Sequence, residues 1–199
     1  DTLAEDRNIW GRAVEGEGIN NTGEIESKGV FKITKSPEEA PNSPTKITLR
    51  FSRGIPVELN GNSEDLEQLI VKCGDLGANN GIGRIRVFED TIPEIGFKEA
   101  GVYEAPAPVI IYAAHRFVED AVLTKLQRQM KRSLENEWAE IVYRGDWRTS
   151  QRREISEEFQ KSQEKINGLV ELKLYKGNII VIQAEIPNCR VIKQANESY

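Results

Sequence analysis

Two hairpin patterns, one near each end of the chain, constrain the fold more than any other feature. The segments TKITLRF and IPVELN flank the turn SRG, and LVELKLY and IIVIQAEI flank the turn KGN. Alternating apolar and polar residues are typical of strands with one buried face. Because a block of helical patterns separates the two hairpins, we expect an α+β fold with a mixed or antiparallel sheet of hairpins, not a doubly wound sheet.

The helical block has recognisable boundaries. Ser63, followed by two acidic residues, predicts an N-cap. The prolines of APAPVIIYAAHRFVEDAVL suit a helix N-terminus, and Thr124 predicts the cap of a long helix that ends at Gly145. A further helix is predicted over TSQRREISEEFQKSQEKI, with Asn167-Gly168 as its stop. RIRVFE and GVFKIT predict additional strands.

The two ends of the chain differ from its middle. Residues 1–30 are rich in Gly, Asn and Glu and show little periodicity, which predicts an arm or linker leaving a preceding domain. Residues 187–199 are polar and predict a tail or an exchanged arm. The main domain is therefore expected over residues 31–186.

Composition excludes several function classes. The chain is 38% hydrophobic and 30% charged, with a net charge of −5. No apolar run approaches the roughly 20 residues of a membrane span, and the negative charge argues against nucleic acid as a partner. Cys73 and Cys189 lie far apart and predict free thiols, and a single histidine leaves no His/Cys zinc site. We expect a cytoplasmic protein without a membrane, nucleic-acid or metal partner.

The residues alone supply no complete catalytic motif. NNGIGR is glycine-rich, but it lacks the spacing of a phosphate-binding loop and precedes a strand, so it predicts a tight turn. His115 has no nucleophile elbow to accompany it and is expected to be a hydrogen-bonded histidine on a partly buried helix. These patterns indicate an α+β domain whose chemistry lies elsewhere.

An ordered series of segments carries a resemblance to a known family. The segments NGIGRIRVFED and GVYEAPAPVIIYAAHR resemble the C-terminal synthetase and multimerisation domain of argininosuccinate synthase. EDRNIWGRAVEGE, SPEEAPNSPTKITLRFSRGIPVELNG and the region from residue 139 to 182 resemble further segments of that domain, in the same order. The resemblance covers nearly the whole chain.

The resemblance implies a reaction. Members of this family use ATP with Mg²⁺ to convert citrulline to a citrullyl-adenylate, from which the amine of aspartate displaces AMP to give argininosuccinate. ATP binds mainly to an N-terminal nucleotide-binding domain whose glycine-rich loop is not in these residues. The resemblance therefore implies no catalytic residue in this chain, no turnover by the chain alone, and assembly as a homotetramer.

The resemblance also implies two citrulline-binding residues. The family's glutamate at the end of the strand after the NGIGR-like segment falls on Glu89, and its tyrosine in the GVYE turn falls on Tyr103. A carboxylate can accept charge-assisted hydrogen bonds from an ammonium group, and a phenol can donate to a carboxylate.

Three alanines depart from the family pattern. Ala4 and Ala13 stand where the family has citrulline-binding serines, and Ala100 stands where it has an arginine. Alanine cannot replace these side-chain hydrogen bonds. Two alternatives therefore stay open: a divergent relative that adenylates another ureido or amide compound, and a domain that acts mainly in oligomerisation.

Overall fold

The computed structural model describes residues 3–16, 19, 29–92 and 96–191. Within them lie nine strands and four helices. The strands are β1 (Ala4–Asn8), β2 (Gly11–Glu15), β3 (Thr45–Ser52), β4 (Ile55–Leu59), β5 (Asn62–Ser63), β6 (Arg84–Ile92), β7 (Phe97–Glu104), β8 (Gly168–Tyr175) and β9 (Asn178–Glu185). The helices are α1 (Leu66–Asn79), α2 (Pro106–Val122), α3 (Lys125–Tyr143) and α4 (Ser150–Gln163).

The strands form two sheets. One has four strands in the order β1-β2-β7-β6, and the other has five in the order β5-β4-β3-β8-β9. All strand pairs in the described part of the chain are antiparallel. The predicted α+β class and both predicted hairpins, β3–β4 and β8–β9, are confirmed.

The larger core lies between the five-stranded sheet and helices α1 and α2. The inward positions of β3 and β8 are fully apolar, because every second residue of a strand points to the same face. They are Ile47, Leu49, Phe51, Val170, Leu172 and Leu174. Burying one such side chain contributes about 1.5–3 kcal/mol.

The four-stranded sheet has a much smaller core. Among the described residues, its buried apolar cluster consists of Val14, Ile19, Val30, Ala100 and Val102. These residues lie behind the sheet, so its other face does not contribute to that cluster. The chain then passes directly from the end of β7 into α2, which joins this sheet to the larger core.

The helix caps confirm one prediction and correct another. Thr124 forms a capping box with Gln127, as its sequence context predicts. Ser63 was predicted to cap α1, and this is wrong, because Ser63 pairs with Glu58 in the short strand β5. Asp65 is the N-cap instead, and its carboxylate accepts a hydrogen bond from the Gln68 amide at 2.8 Å.

The structure differs from the sequence predictions at two further places in the first 34 residues. Residues 4–15, part of the predicted arm or linker, contain β1 and β2, both paired within the four-stranded sheet. GVFKIT is not a strand, because the amides of its last three residues donate to the carboxylate of Glu104. The exit from a preceding domain, over residues 1–30, stays a prediction.

The C-terminal segment is only partly within the described residues. The Arg190 amide donates to the carbonyl of Ala121 at 2.9 Å, and its guanidinium donates to the carbonyl of Val122 at 2.6 Å. The segment therefore leaves along the end of α2. Most of the predicted tail, residues 192–199, lies outside the described residues. None of the four described helices is both long and apolar enough to cross a membrane.

Candidate substrate-binding site

The outer face of the four-stranded sheet, the one opposite its small apolar core, is strongly acidic. The register pairs Asp6 with Ala13, Ala13 with Tyr103, Glu15 with Gly101, and Glu89 with Glu99. Since directly paired residues share a face, the sheet brings four carboxylates and one phenol together there. We call this the acidic face: Asp6, Glu15, Glu89, Glu99 and Tyr103.

The two sequence-predicted site residues are in direct contact on the acidic face. The Tyr103 hydroxyl donates a hydrogen bond to the Glu89 carboxylate at 2.5 Å. This bond stabilises the neutral phenol and raises the pKa of Tyr103 to about 12. The sequence pattern placed Tyr103 in a turn, and this is wrong, because Tyr103 lies within β7. The strand holds its ring beside β6 and thus beside Glu89.

A cavity of about 290 Å³ opens on the acidic face. It is lined by Glu15, Glu89, Asp90, Glu99, Gly101 and Tyr143. Partial burial, and then the neighbouring charge of Glu99, raises the pKa of Glu15 above its usual value. Because an arriving cation would relieve this repulsion, the cavity favours an ammonium group over an anion.

The three alanines that depart from the family pattern do not share one environment. Ala13 lies opposite Tyr103 and Ala4 lies opposite Glu15, so both stand on the acidic face. Ala100 points to the other side and is buried in the small core. Ala4 and Ala13 therefore share the face of the cavity without lining it, whereas Ala100 lies behind the sheet.

A buried ion pair lies behind the acidic face. Glu104 is fully buried, and its carboxylate accepts a hydrogen bond from the Arg12 guanidinium at 2.8 Å. Burial alone would raise the pKa of Glu104, but hydrogen bonds from the Lys32 amide, the Thr34 hydroxyl and amide, and the Ile33 amide outweigh it and lower the pKa. This carboxylate is therefore held as an anion inside the fold.

The remaining sequence candidates have structural roles. His115 shares a 2.8 Å hydrogen bond with Gln163 and is mostly buried, which confirms the predicted hydrogen-bonded histidine. Cys73 and Cys189 are free, as predicted. Burial raises the pKa of the Cys73 thiol to about 12. No group of three His, Cys, Asp or Glu suited to a metal ion occurs among the described residues.

The glycine-rich NNGIGR segment forms the predicted turn. Gly83 has a φ of +99°, and a Cβ built there would lie 2.4 Å from the Pro106 nitrogen. The chain's own backbone therefore occupies that side of Gly83. The turn leads into strand β6, whereas a phosphate-binding glycine-rich loop opens a helix.

Several residues of the site were not predicted from the sequence. Glu15 was assigned to the arm and Glu99 to a loop. Three consecutive residues of β7, Ala100 to Val102, are buried, so the strand does not alternate there. Tyr143 ends α3, far along the sequence. The buried positions of β2 are Arg12 and Val14, so its sequence gives no apolar–polar alternation that could have found Glu15.

The fold and the site together define an α+β domain with an acidic sheet face. A family model described as "Arginosuccinate synthase C-terminal domain" matches residues 4–194. The chain belongs to the argininosuccinate synthase family, and it corresponds to the C-terminal domain of that family.

Individual relatives agree with the family match. The argininosuccinate synthases of Methanopyrus kandleri and Chlorobaculum parvum are each 38% identical to the chain, over 182 and 183 residues respectively. That of Pyrococcus furiosus is 37% identical over 183 residues. Each alignment covers 92% of this chain but only 44–45% of the relative. The chain thus spans less than half the length of these relatives.

Proposed function

We propose that this chain supplies the citrulline-binding surface of an argininosuccinate synthase, an ATP-dependent carbon–nitrogen ligase of arginine biosynthesis. The observation that carries the proposal is the contact between Tyr103 and Glu89 beside a cavity lined by carboxylates. Family membership supports citrulline and aspartate as the substrates.

The acidic face suits one end of citrulline. An ionised carboxylate has about four lone-pair positions, so Glu89 can accept from the α-ammonium while it retains the Tyr103 hydroxyl. Glu15 and Glu99 add negative potential around the same cavity. The phenol, held neutral at physiological pH, can instead rotate its O–H toward the α-carboxylate of the substrate.

The nucleotide chemistry falls outside this chain in the proposed arrangement. ATP with Mg²⁺ would bind mainly to a nucleotide-binding domain, since the NNGIGR turn of this chain leads into a strand and does not open a helix. ATP supplies the adenylyl group that turns the ureido oxygen of citrulline into a leaving group. The residues of this chain would orient citrulline so that the ureido carbon faces the amine of aspartate.

Exposed apolar side chains support the further proposal of a cytoplasmic homotetramer. Large hydrophobic residues are exposed along α3 and the segment after it: Leu126, Met130, Tyr143 and Trp147. Contiguous exposed apolar surface on a folded chain marks interaction sites. Tyr143 belongs both to this surface and to the lining of the cavity, so assembly would take place next to the proposed substrate site.

A second candidate function is that of a divergent relative that adenylates a different ureido or amide compound. It rests on Ala4 and Ala13, which place no side-chain hydroxyl on the acidic face. The family match supports argininosuccinate synthesis over this candidate.

The test is pyrophosphate release from ATP by the full-length protein, with aspartate, in the presence and absence of citrulline. We expect strong citrulline dependence. The loss of one hydrogen bond to a charged group costs about 1.5–3 kcal/mol, so Glu89→Gln is expected to raise the KM for citrulline at least tenfold. Tyr103→Phe is expected to raise it less.

Glu185→Gln is the matched control, because Glu185 is an exposed strand carboxylate in the other sheet. It should leave the KM for citrulline unchanged. Protein that binds ATP but does not respond to citrulline would reject this function and favour the second candidate.

A further inference from the structure

Glu104 lies next to Tyr103 in β7 and points to the opposite side of the sheet. Its two oxygens accept hydrogen bonds from the backbone amides of Lys32, Ile33 and Thr34, at 2.9–3.1 Å. The Thr34 hydroxyl adds a fourth donor at 2.7 Å. Three successive amides that converge on one carboxylate form an anion-binding nest, and here the anion belongs to the chain itself.

Arg12 extends this network across the sheet. Its guanidinium donates to Glu104 at 2.8 Å, to the Val30 carbonyl at 2.5 Å and to Glu5 at 2.9 Å. Arg12 lies in β2, Glu5 in β1 and Glu104 in β7. The buried Arg12 guanidinium therefore joins β1, β2 and β7 to Val30, which lies in the segment between β2 and β3.

Two glycines fix the backbone at the same place. A Cβ built on Gly11 would lie 2.2 Å from the Glu104 carbonyl oxygen, and one built on Gly83 would lie 2.4 Å from the Pro106 nitrogen. The end of β7 is thus enclosed by close backbone contacts from β2 and from the start of β6. Glu104 occupies the point at which these strands meet.

The acidic face on the other side creates a need for such an anchor. Glu89 and Glu99 are directly paired across β6 and β7, and Glu15 lies one strand away. Like charges placed opposite each other destabilise strand pairing. Within the part of the chain that the structure describes, the small apolar core behind the sheet has five buried members to oppose that repulsion.

We infer that Glu104 is a positioning residue for citrulline, which holds β2, β7 and β6 in register. It acts on β2 through the Arg12 ion pair. It acts on β6 through Thr34, whose hydroxyl and carbonyl accept hydrogen bonds from the Arg84 guanidinium at 3.0 Å and 2.7 Å. This inference rests on the proposed function. The register sets the distance between Tyr103 and Glu89 and the position of Glu15 beside them. Glu104 itself lies behind the sheet and does not touch the substrate cavity.

The experiment measures steady-state kinetics of the full-length protein with two variants. Glu104→Gln keeps the size of the side chain and removes its charge. Thr34→Val removes one hydroxyl donor and leaves the amide of residue 34 in place. We expect the KM for citrulline to rise about tenfold in the first variant and about threefold in the second, on the scale of one or two polar contacts. The KM for ATP should change less than twofold in both.

A stability control separates positioning from general destabilisation. Leu172→Val shortens a buried side chain in the five-stranded sheet. Thermal unfolding is measured for each protein, so that variants with a similar loss in Tm are compared. The control should lower Tm and leave the KM for citrulline unchanged. Equal rises in KM for the control and for Glu104→Gln would overturn the inference, because the effect would then follow stability alone.

Tyr103→Phe, measured in parallel, distinguishes a failure of the proposed citrulline site from a failure of the positioning role of Glu104. An unchanged KM for citrulline in Tyr103→Phe would reject the proposed site and the inference with it. A raised KM in Tyr103→Phe, with wild-type values in Glu104→Gln and Thr34→Val, would overturn the inference and leave the proposed function standing. Should Glu104→Gln fail to fold, Thr34→Val decides the question by itself.

Discussion

The five-stranded sheet packs a continuous apolar cluster against α1 and α2, whereas the four-stranded sheet combines a few small apolar residues with a buried ion pair. Phe51, Leu172 and Leu174 are typical of the first sheet, and Arg12 and Glu104 of the second. The first sheet carries none of the proposed substrate residues, and the second carries both of them. The larger apolar core and the proposed binding residues thus lie in different sheets.

The difference follows from what each sheet face must do. A surface that binds a charged substrate keeps carboxylates at close range, and their repulsion opposes strand pairing. Apolar burial is non-directional, so it does not by itself fix the distance between two polar side chains. The directional hydrogen bonds of Glu104 can fix that distance, which explains a buried charge where an apolar side chain would be simpler.

The largest effect is expected in the five-stranded sheet. Leu172→Ala should lower the free energy of unfolding by about 3–5 kcal/mol, since the cavity left in a packed core adds to the lost transfer energy. Ile180 lies in β9 and is 45% exposed, so Ile180→Ala should lower the free energy of unfolding clearly less than Leu172→Ala does. Denaturant unfolding of the chain measures both. Equal losses would show that the apolar cluster does not carry the stability of this sheet.

The next effect tests the close contacts at the end of β7. Gly83→Ala combines a left-handed φ with a backbone clash and should cost roughly 2–4 kcal/mol. Gly61→Ala has a similar φ of +79° but open space around it, so only about 1–2 kcal/mol is expected. Denaturant unfolding of both variants isolates the contribution of the close backbone contact at Gly83. If Gly83→Ala lowers the free energy of unfolding no more than Gly61→Ala does, this contribution is contradicted.

Acid should weaken the four-stranded sheet selectively. Hydrogen bonds from Arg12 and then Lys32 lower the pKa of Glu5 to about 2, and the pKa of Glu104 also lies below its usual value of 4.5. Because these pKa values are depressed in the folded state, their contribution to stability is present above pH 4.5 and is lost as the pH falls below it.

Denaturant unfolding between pH 6 and pH 3 measures this dependence. Glu104→Gln should be less stable than the wild type at pH 6 and should lose less stability on acidification. Parallel curves for the two proteins would show that the buried carboxylate does not titrate in this way.

The smallest effect on stability, and a gain in binding, is expected from serine at the acidic face. Ala13→Ser restores a hydroxyl opposite Tyr103 and should lower the KM for citrulline about threefold to tenfold, while stability changes by less than about 0.5 kcal/mol. Ala100→Ser is the matched control on the other face, where a buried hydroxyl should destabilise the sheet by about 1–3 kcal/mol without lowering the KM. Similar kinetics in both variants would contradict the assignment of the faces.

The two sheets also differ in how well sequence patterns predict them. The strands β3 and β8 alternate, and the tight turns to β4 and β9 are recognisable, so both hairpins were predicted correctly. The four-stranded sheet was largely missed, because β1 is exposed throughout and β7 contains three consecutive buried residues. Neither pattern has a period of two.

Contacts between residues far apart in the sequence explain the other incorrect predictions from the sequence. GVFKIT has the composition of a strand, but Glu104, some 70 positions away, accepts the hydrogen bonds of its amides. Nothing local to residues 32–34 signals that partner. Glu89 and Tyr103 were found through family resemblance, whereas their direct contact, and Glu15 and Glu99 beside them, depend on the pairing of β2, β6 and β7.

The most direct test of the division between the sheets is hydrogen exchange of the full-length protein with and without citrulline. Bound ligand slows exchange in the segments that it stabilises. We expect citrulline to protect amides of β1, β2, β6 and β7 and to leave those of β3, β4, β8 and β9 unchanged. Protection of the five-stranded sheet, with none in the four-stranded sheet, would contradict the assignment of the citrulline surface to the acidic face.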